Sequence, residues 1–111
     1  MKKPIIGITL DSEESGQYSK FPWYAIRKNH LYSIEKFGGI PFPISHSEAS
    51  LPDIISMVDG IIITGGNFDI DPVLYGENND HSRSFKNTRT NFEMKICEMS
   101  LKNNLPILGI C

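Results

Sequence analysis

Four short apolar runs, each separated from the next by a stretch long enough for a helix, constrain this chain more than any other feature. They are Ile5-Ile6-Gly7-Ile8-Thr9-Leu10, Ile40 to Ile44, Gly60-Ile61-Ile62-Ile63-Thr64 and Ile107 to Ile110. β-Branched residues dominate them, as a pleated, packed strand favours. Gly60 to Thr64 has no polar alternation and so suits a central parallel strand covered on both faces. Pro41 and Pro43 each remove a ladder donor, which places the second run at a sheet edge.

Helix signals fill the intervals. Trp23, Ile26, His30, Ile34 and Phe37 recur at helical spacing, predicting a helix that begins near Phe21-Pro22-Trp23 and stops at Gly38-Gly39. Ser50 as cap, with Pro52 in the first turn, predicts a short second helix ending at Met57 or Val58. Thr90 and Glu93 form a capping box ahead of an apolar face of Phe92, Ile96 and Met99, and Asn103-Asn104 ends that helix. Asp11 to Lys20 reads as a polar loop, Pro72 to Tyr75 as one helical turn and Gly76 to Asn87 as a polar connection. The order β-α-β-α-β-α-β, without repeat or linker, predicts a doubly wound α/β domain on a parallel sheet. Such folds bring the C-terminal ends of successive strands to one edge, where ligands bind.

Composition narrows the function classes. The 111 residues carry a net charge of -2, which gives no electrostatic case for nucleic acid or an anionic membrane. No segment approaches transmembrane length, and the apolar run after Lys2-Lys3 is too short for a signal peptide. Cys97 and Cys111 form neither a disulfide framework nor a metal-spacing motif, so a reduced cytoplasm is the simplest setting.

Chemistry concentrates at the predicted strand ends. Cys111 follows Pro106-Ile107-Leu108-Gly109-Ile110, and a buried strand closed by Gly-x-Cys leads naturally into a nucleophile turn. A thiolate attacks readily near neutral pH when a base or positive dipole is close; the alternative is a cysteine without a role. Gly65-Gly66, after Ile61-Ile62-Ile63-Thr64, can offer backbone N–H groups to a developing oxyanion, or form a tight turn that needs positive φ. Asn67, Asp69 and Asp71 add polarity there, with Asp71 best read as capping the turn at Pro72 rather than binding metal. His30 reads as a packed or half-exposed helix residue, His46 as a solvated loop residue near the active edge, and His81 as a polar-loop residue. None of the three falls where a base for Cys111 is expected. Arg89 is able to contact an anionic substrate, although an exposed helix-start arginine is the default.

Together these motifs resemble the class I glutamine amidotransferase-like family, in its γ-glutamyl-γ-aminobutyrate hydrolase branch. The resemblance rests on Pro4-Ile5-Ile6-Gly7-Ile8-Thr9, Phe37-Gly38-Gly39-Ile40-Pro41 and Asp59-Gly60-Ile61-Ile62-Ile63-Thr64-Gly65-Gly66. It continues through Asp69-Ile70-Asp71-Pro72-Val73-Leu74-Tyr75-Gly76-Glu77, Arg89 with Phe92-Glu93, and Pro106 to Cys111. Residues 1–111 then correspond to the N-terminal part of such a domain. The resemblance implies a flavodoxin-like fold, here with about four strands, and a Cys-His-Glu triad. It also implies thioester-mediated hydrolysis of γ-glutamyl amides without metal or organic cofactor. Cys111 matches the nucleophile, and Gly65, Gly66 and Asn67 match the oxyanion and substrate region. Where the family has Asp after the arginine, this chain has Thr90. The family's His and Glu have no counterpart in these residues.

Three expectations follow. Residues 1–111 alone are inactive, and their sheet carries an unpaired edge with an uncovered apolar flank. A second chain supplying the remaining triad members would complete a split hydrolase acting on a small γ-glutamyl or glutamine-like substrate. A non-catalytic binding module on the same fold is the alternative from another class.

Overall fold

In the computed structural model, which describes residues 2–66, 72–76 and 86–111, the β-branched runs pair as predicted. In chain order the elements are β1 (Ile5–Thr9), β2 (Asp11–Glu13), β3 (Trp23–Ala25), α1 (Lys28–Lys36), β4 (Ile40–Ile44), α2 (Leu51–Met57), β5 (Gly60–Ile63), a 3-10 turn (Pro72–Tyr75), α3 (Asn87–Lys102) and β6 (Ile107–Gly109). Four strands form a parallel sheet in the order β4-β1-β5-β6, the architecture of a flavodoxin-like α/β domain. Among the described residues the proline-bearing β4 is the outer strand, bonded only to β1, so its two missing N–H groups interrupt no second ladder there.

The main core lies on the face covered by α2 and α3, where Ile44, Leu51, Ile54, Ile55, Val58, Ile61, Phe92 and Ile96 form one cluster. Gly7 makes that packing possible. A Cβ there would stand 2.7 Å from Ile44 Cδ1 and 2.9 Å from Ile61 Cδ1, so any larger residue would force these covering side chains to move from their places over β1. Strand alternation sends Ile6, Ile8, Ile62 and Leu108 to the opposite face. Helix α1 covers the β1 side of it, with Ile8 and Ile34 buried, while Leu108 and Ile110 near β6 remain exposed. Helix α1 stops as the sequence suggests. Gly38 adopts φ +89°, and the N–H groups of Gly38 and Gly39 satisfy Glu35 O and Ile34 O.

Three helix-start expectations are corrected. Trp23 and Ile26 are not helical: Trp23–Ala25 pairs antiparallel with Asp11–Glu13, so the predicted polar loop holds half of a two-stranded ribbon. Helix α1 begins only at Lys28. Helix α3 begins at Asn87, one turn before the predicted capping box. Thr90 therefore sits inside the helix, buried, its N–H bonded to Lys86 O, and it caps nothing. Ser50 does precede α2, but its side chain makes no capping bond and accepts from Ser47 Oγ instead. The apolar face of α3 holds as read, with Phe92 and Ile96 buried and Met99 packed against the cluster.

Candidate functional site

Parallel pairing sends the ends of β1, β5 and β6 to one edge, continuing as Leu10-Asp11, Thr64-Gly65-Gly66 and Ile110-Cys111. A cleft of about 740 Å³ opens there, with Gly65, Gly66 and Cys111 in its wall. Ile110 N–H donates to Ile63 O at 2.8 Å, which carries the β5–β6 ladder to the doorstep of Cys111. Gly65 then passes so close that a Cβ would lie 3.1 Å from Ile110 O and 3.4 Å from the carbonyl carbon of Cys111. Close approach of two main chains, rather than a positive φ, is what favours glycine at this position. Cys111 is exposed. Asn67, Asp69, Asp71 and His81 lie outside the described residues.

Behind the cleft is a buried polar lock. Thr64 N–H donates to Thr9 Oγ1 at 3.0 Å, and Thr64 Oγ1 donates to Thr9 O at 3.1 Å, tying together the ends of β5 and β1. Arg89 closes the lock from α3. Its Nη2 donates to Thr64 O at 2.6 Å and Thr64 Oγ1 at 2.8 Å, and reaches Gly65 O at 3.4 Å. Nη1 bonds Asp11 Oδ1 at 3.2 Å, and Glu93, one helical turn on, places Oε2 3.2 Å from Nη2. Arg89 is 1% exposed. The expectation of an exposed helix-start arginine is therefore overturned, because Asp11, the Thr64 carbonyl and hydroxyl and the Gly65 carbonyl accept from it at the sheet edge and the Glu93 carboxylate balances its charge from α3. A buried guanidinium needs such a set, since a charge removed from water without partners costs several kcal/mol (on the order of those penalties).

Asp11 joins this lock to the cleft rim. It accepts from Lys86 Nζ at 2.8 Å, and the same ammonium donates to Ser12 O and Glu13 Oε1. Burial works to raise the Asp11 carboxyl, but hydrogen bonds from Lys86 and Ser12 N–H and the charges of Lys86 and Arg89 outweigh it and hold it below the ordinary carboxylate value. Burial works to lower Lys86, and its bonds to Asp11 and Glu13 outweigh that, raising it.

The histidines divide. His46 is not a solvated loop residue: its Nε2 lies 2.9 Å from Leu10 O, and its ring packs on Tyr24 and Phe92. His30, in the first turn of α1, lines the cleft that holds Cys111, a placement sequence spacing did not anticipate. Asp11, Glu13, Arg27 and Lys86 line it too and were also missed. The available signal was positional, since Asp11 follows β1 as Gly65 follows β5, and Arg89 and Glu93 stand at i, i+4. Among the described residues no group of three or more His, Cys, Asp or Glu is placed to hold a metal, and no helix is long and apolar enough to cross a membrane.

Comparison with known proteins gives the arrangement a context. The family model described as Peptidase C26 matches residues 4–111. A Rickettsia prowazekii (strain Madrid E) protein, whose glutamine amidotransferase-like assignment is itself provisional, is 37% identical over 114 residues, covering 99% of this chain and 41% of its own length. The γ-glutamyl-γ-aminobutyrate hydrolase PuuD of Escherichia coli (strain K12) is 27% identical over 114 residues, covering 100% of this chain and 43% of its own length. A Schizosaccharomyces pombe protein, provisionally a glutamine amidotransferase, is 30% identical over 113 residues, covering 100% and 40%. The chain thus spans about two-fifths of the length of these relatives.

Proposed function

The chain belongs to the Peptidase C26 family, a class I glutamine amidotransferase-like group with γ-glutamyl hydrolases among its relatives, and on that premise we propose that it carries the nucleophile half of a γ-glutamyl amide hydrolase. Cys111 is the nucleophile in this reading. Its thiolate attacks the γ-carbonyl carbon, a C–S bond forms, and the carbonyl electron pair moves onto oxygen. N–H groups of the Gly65-Gly66 turn receive that oxyanion, and Asn67, next in sequence, is assigned to the same role. Collapse of the intermediate breaks the C–N bond, the amine leaves with a proton, and water then hydrolyses the thioester.

The observation that carries the reading is the contact between Gly65 and the Ile110-Cys111 main chain, at the edge where a parallel sheet binds ligands. The base and its orienting carboxylate are assigned to polypeptide outside these 111 residues, whether continuous with them or a second chain. Residues 1–111 alone are then inactive toward γ-glutamyl amides. The test is acyl-enzyme trapping: the complete protein is quenched during turnover of a γ-glutamyl anilide and its peptides weighed. A γ-glutamyl adduct on the Cys111 peptide, absent in Cys111→Ala, is expected. Anilide cleavage that survives in Cys111→Ala refutes the assignment.

A further inference from the structure

The cleft needs two things from its glycine turn: amide hydrogens that face the thiol, and a backbone that does not swing away. Glycine by itself provides the reverse of the second, because a Gly-Gly pair is the least restricted dipeptide a loop can contain. Something outside the turn has to fix it. The structure supplies one buried side chain with the reach and donor geometry to do so.

We infer that Arg89 is a positioning residue that orients the Thr64-Gly65 and Gly65-Gly66 peptide groups so that their N–H bonds face Cys111. The inference rests on the reading of Cys111 as nucleophile and goes beyond it by assigning a role to a residue that touches no substrate. Each peptide is a rigid trans plane, with its C=O and the following N–H on opposite sides. Arg89 Nη2 holds Thr64 O at 2.6 Å and lies 3.4 Å from Gly65 O. Pulling those two carbonyls toward α3 turns the Gly65 and Gly66 N–H groups the other way. The thiol-bearing strand end lies within reach of that turn, because a Cβ on Gly65 would stand 3.1 Å from Ile110 O and 3.4 Å from the Cys111 carbonyl carbon.

The guanidinium is held as firmly as it holds. Asp11 Oδ1 takes Nη1 at 3.2 Å, Glu93 Oε2 lies 3.2 Å from Nη2, and the side chain has no solvent exposure. Lysine would keep the charge but lose the planar fork that engages Asp11 on one nitrogen and Thr64 on the other.

The test compares two reactions of the same sulfur in a Cys97→Ser background. p-Nitrophenyl acetate acylates Cys111: the thiolate adds to the ester carbonyl, an oxyanion forms, and its collapse expels p-nitrophenolate. Iodoacetamide alkylates the same thiolate by direct displacement of iodide, with no oxyanion. The rate ratio therefore cancels thiolate fraction and access and reports oxyanion support. It requires neither a γ-glutamyl substrate nor turnover, so failure of the hydrolase reading and failure of this inference are distinguishable. The ratio for the parent protein is expected to exceed that of N-acetylcysteine, and Arg89→Met to lower it about tenfold or more, short of the roughly hundred- to thousandfold cost of removing an oxyanion donor outright. Arg89→Lys should fall between. A parent ratio no higher than N-acetylcysteine, or one unchanged in both variants while melting temperature drops, overturns the inference. Should Arg89→Met fail to fold, Arg89→Lys decides: a lowered ratio supports the positioning role, and an unchanged one refutes it.

Discussion

Replacing Thr64 by valine probes the lock without changing its shape, since the hydroxyl becomes a methyl of similar size. Three bonds disappear: the donation from Thr64 Oγ1 to Thr9 O at 3.1 Å, the hydroxyl–hydroxyl bond between Thr9 Oγ1 and Thr64 Oγ1 at 3.2 Å and the Arg89 donation to Oγ1 at 2.8 Å. The first two are neutral and contribute about 0.5–1.5 kcal/mol net each, the third is charge-assisted and contributes about 1.5–3 kcal/mol. Arg89 keeps its stronger hold on Thr64 O at 2.6 Å, and Thr64 N–H keeps Thr9 Oγ1, so the lower halves of those ranges apply. The expected loss is about 2.5–4 kcal/mol, or a melting-temperature drop of about 10–20 °C for a domain of this size. Urea unfolding of the parent, Thr64→Val, Arg89→Met and the double variant measures it. The coupling between the two sites should reach about 1–2 kcal/mol. A Thr64→Val loss below about 0.5 kcal/mol, within the range of ordinary surface changes, refutes the claim that this hydroxyl is buried in a working network.

Four shorter predictions accompany it. Gly7→Ala pushes a methyl group against Ile44 and Ile61 and should cost about 1–3 kcal/mol in urea unfolding, as overpacked cores do. Acid titration of stability should show the Asp11 carboxyl: its folded-state value is depressed, so its contribution is present above its ordinary value of 3.8 and is lost as pH falls through the folded value. Asp11→Asn should flatten that limb, and an unchanged limb counts against the network. Cys97 is half-buried and pushed up by burial and then by the Glu93 charge, so iodoacetamide should label exposed Cys111 first, as peptide mass spectrometry reads directly. Leu108, 57% exposed on β6 beside exposed Ile110, should drive self-association of residues 1–111, and Leu108→Lys should reduce it in sedimentation velocity. A monomeric parent would count against that reading.

The sheet was legible because its signals are local. Ile5-Ile6, Ile61-Ile62-Ile63 and Ile107-Leu108 announce strands through their own side chains, and Pro41 and Pro43 announce an edge through missing donors. The ribbon of Asp11–Glu13 with Trp23–Ala25 was not, because a three-residue polar strand has no hydrophobic signature and owes its pairing to a distant partner. Trp23 and Ile26 also fit the i, i+3 rhythm of the true helix by coincidence. The overlooked local clue was the turn between them, where Gly16 (φ +123°) and Gln17 (φ +55°) reverse the chain. Thr90 and Glu93 spelled a capping box at the right spacing, yet packing let α3 extend back to Asn87 and put Thr90 inside. Arg89 was the hardest to read, since arginine is exposed by default and its burial depends on Thr64, Asp11 and Glu93 converging from three elements.

That convergence bears on how stability and site geometry are related in this fold. Parallel strands stop pairing at their C-terminal ends, so Thr64 and Gly65 emerge with backbone groups that the ladder no longer satisfies. A ligand-binding edge has to leave some of them free, and a folded protein cannot leave them all unsatisfied in a buried setting. Arg89 resolves the conflict by direction: it takes the carbonyls of Thr64 and Gly65 from the α3 side, and by the inference above this leaves the opposite amides to the Cys111 side. The same bonds that stabilise the sheet edge then also shape the cleft. Variants of Thr64, Asp11 or Arg89 should consequently lose stability and oxyanion support together, whereas Gly7→Ala, which strains only the α2-side core, should lose stability with the acylation-to-alkylation ratio of Cys111 intact. Loss of that ratio in Gly7→Ala would mean that global loosening, and not the Arg89 contacts, governs the turn.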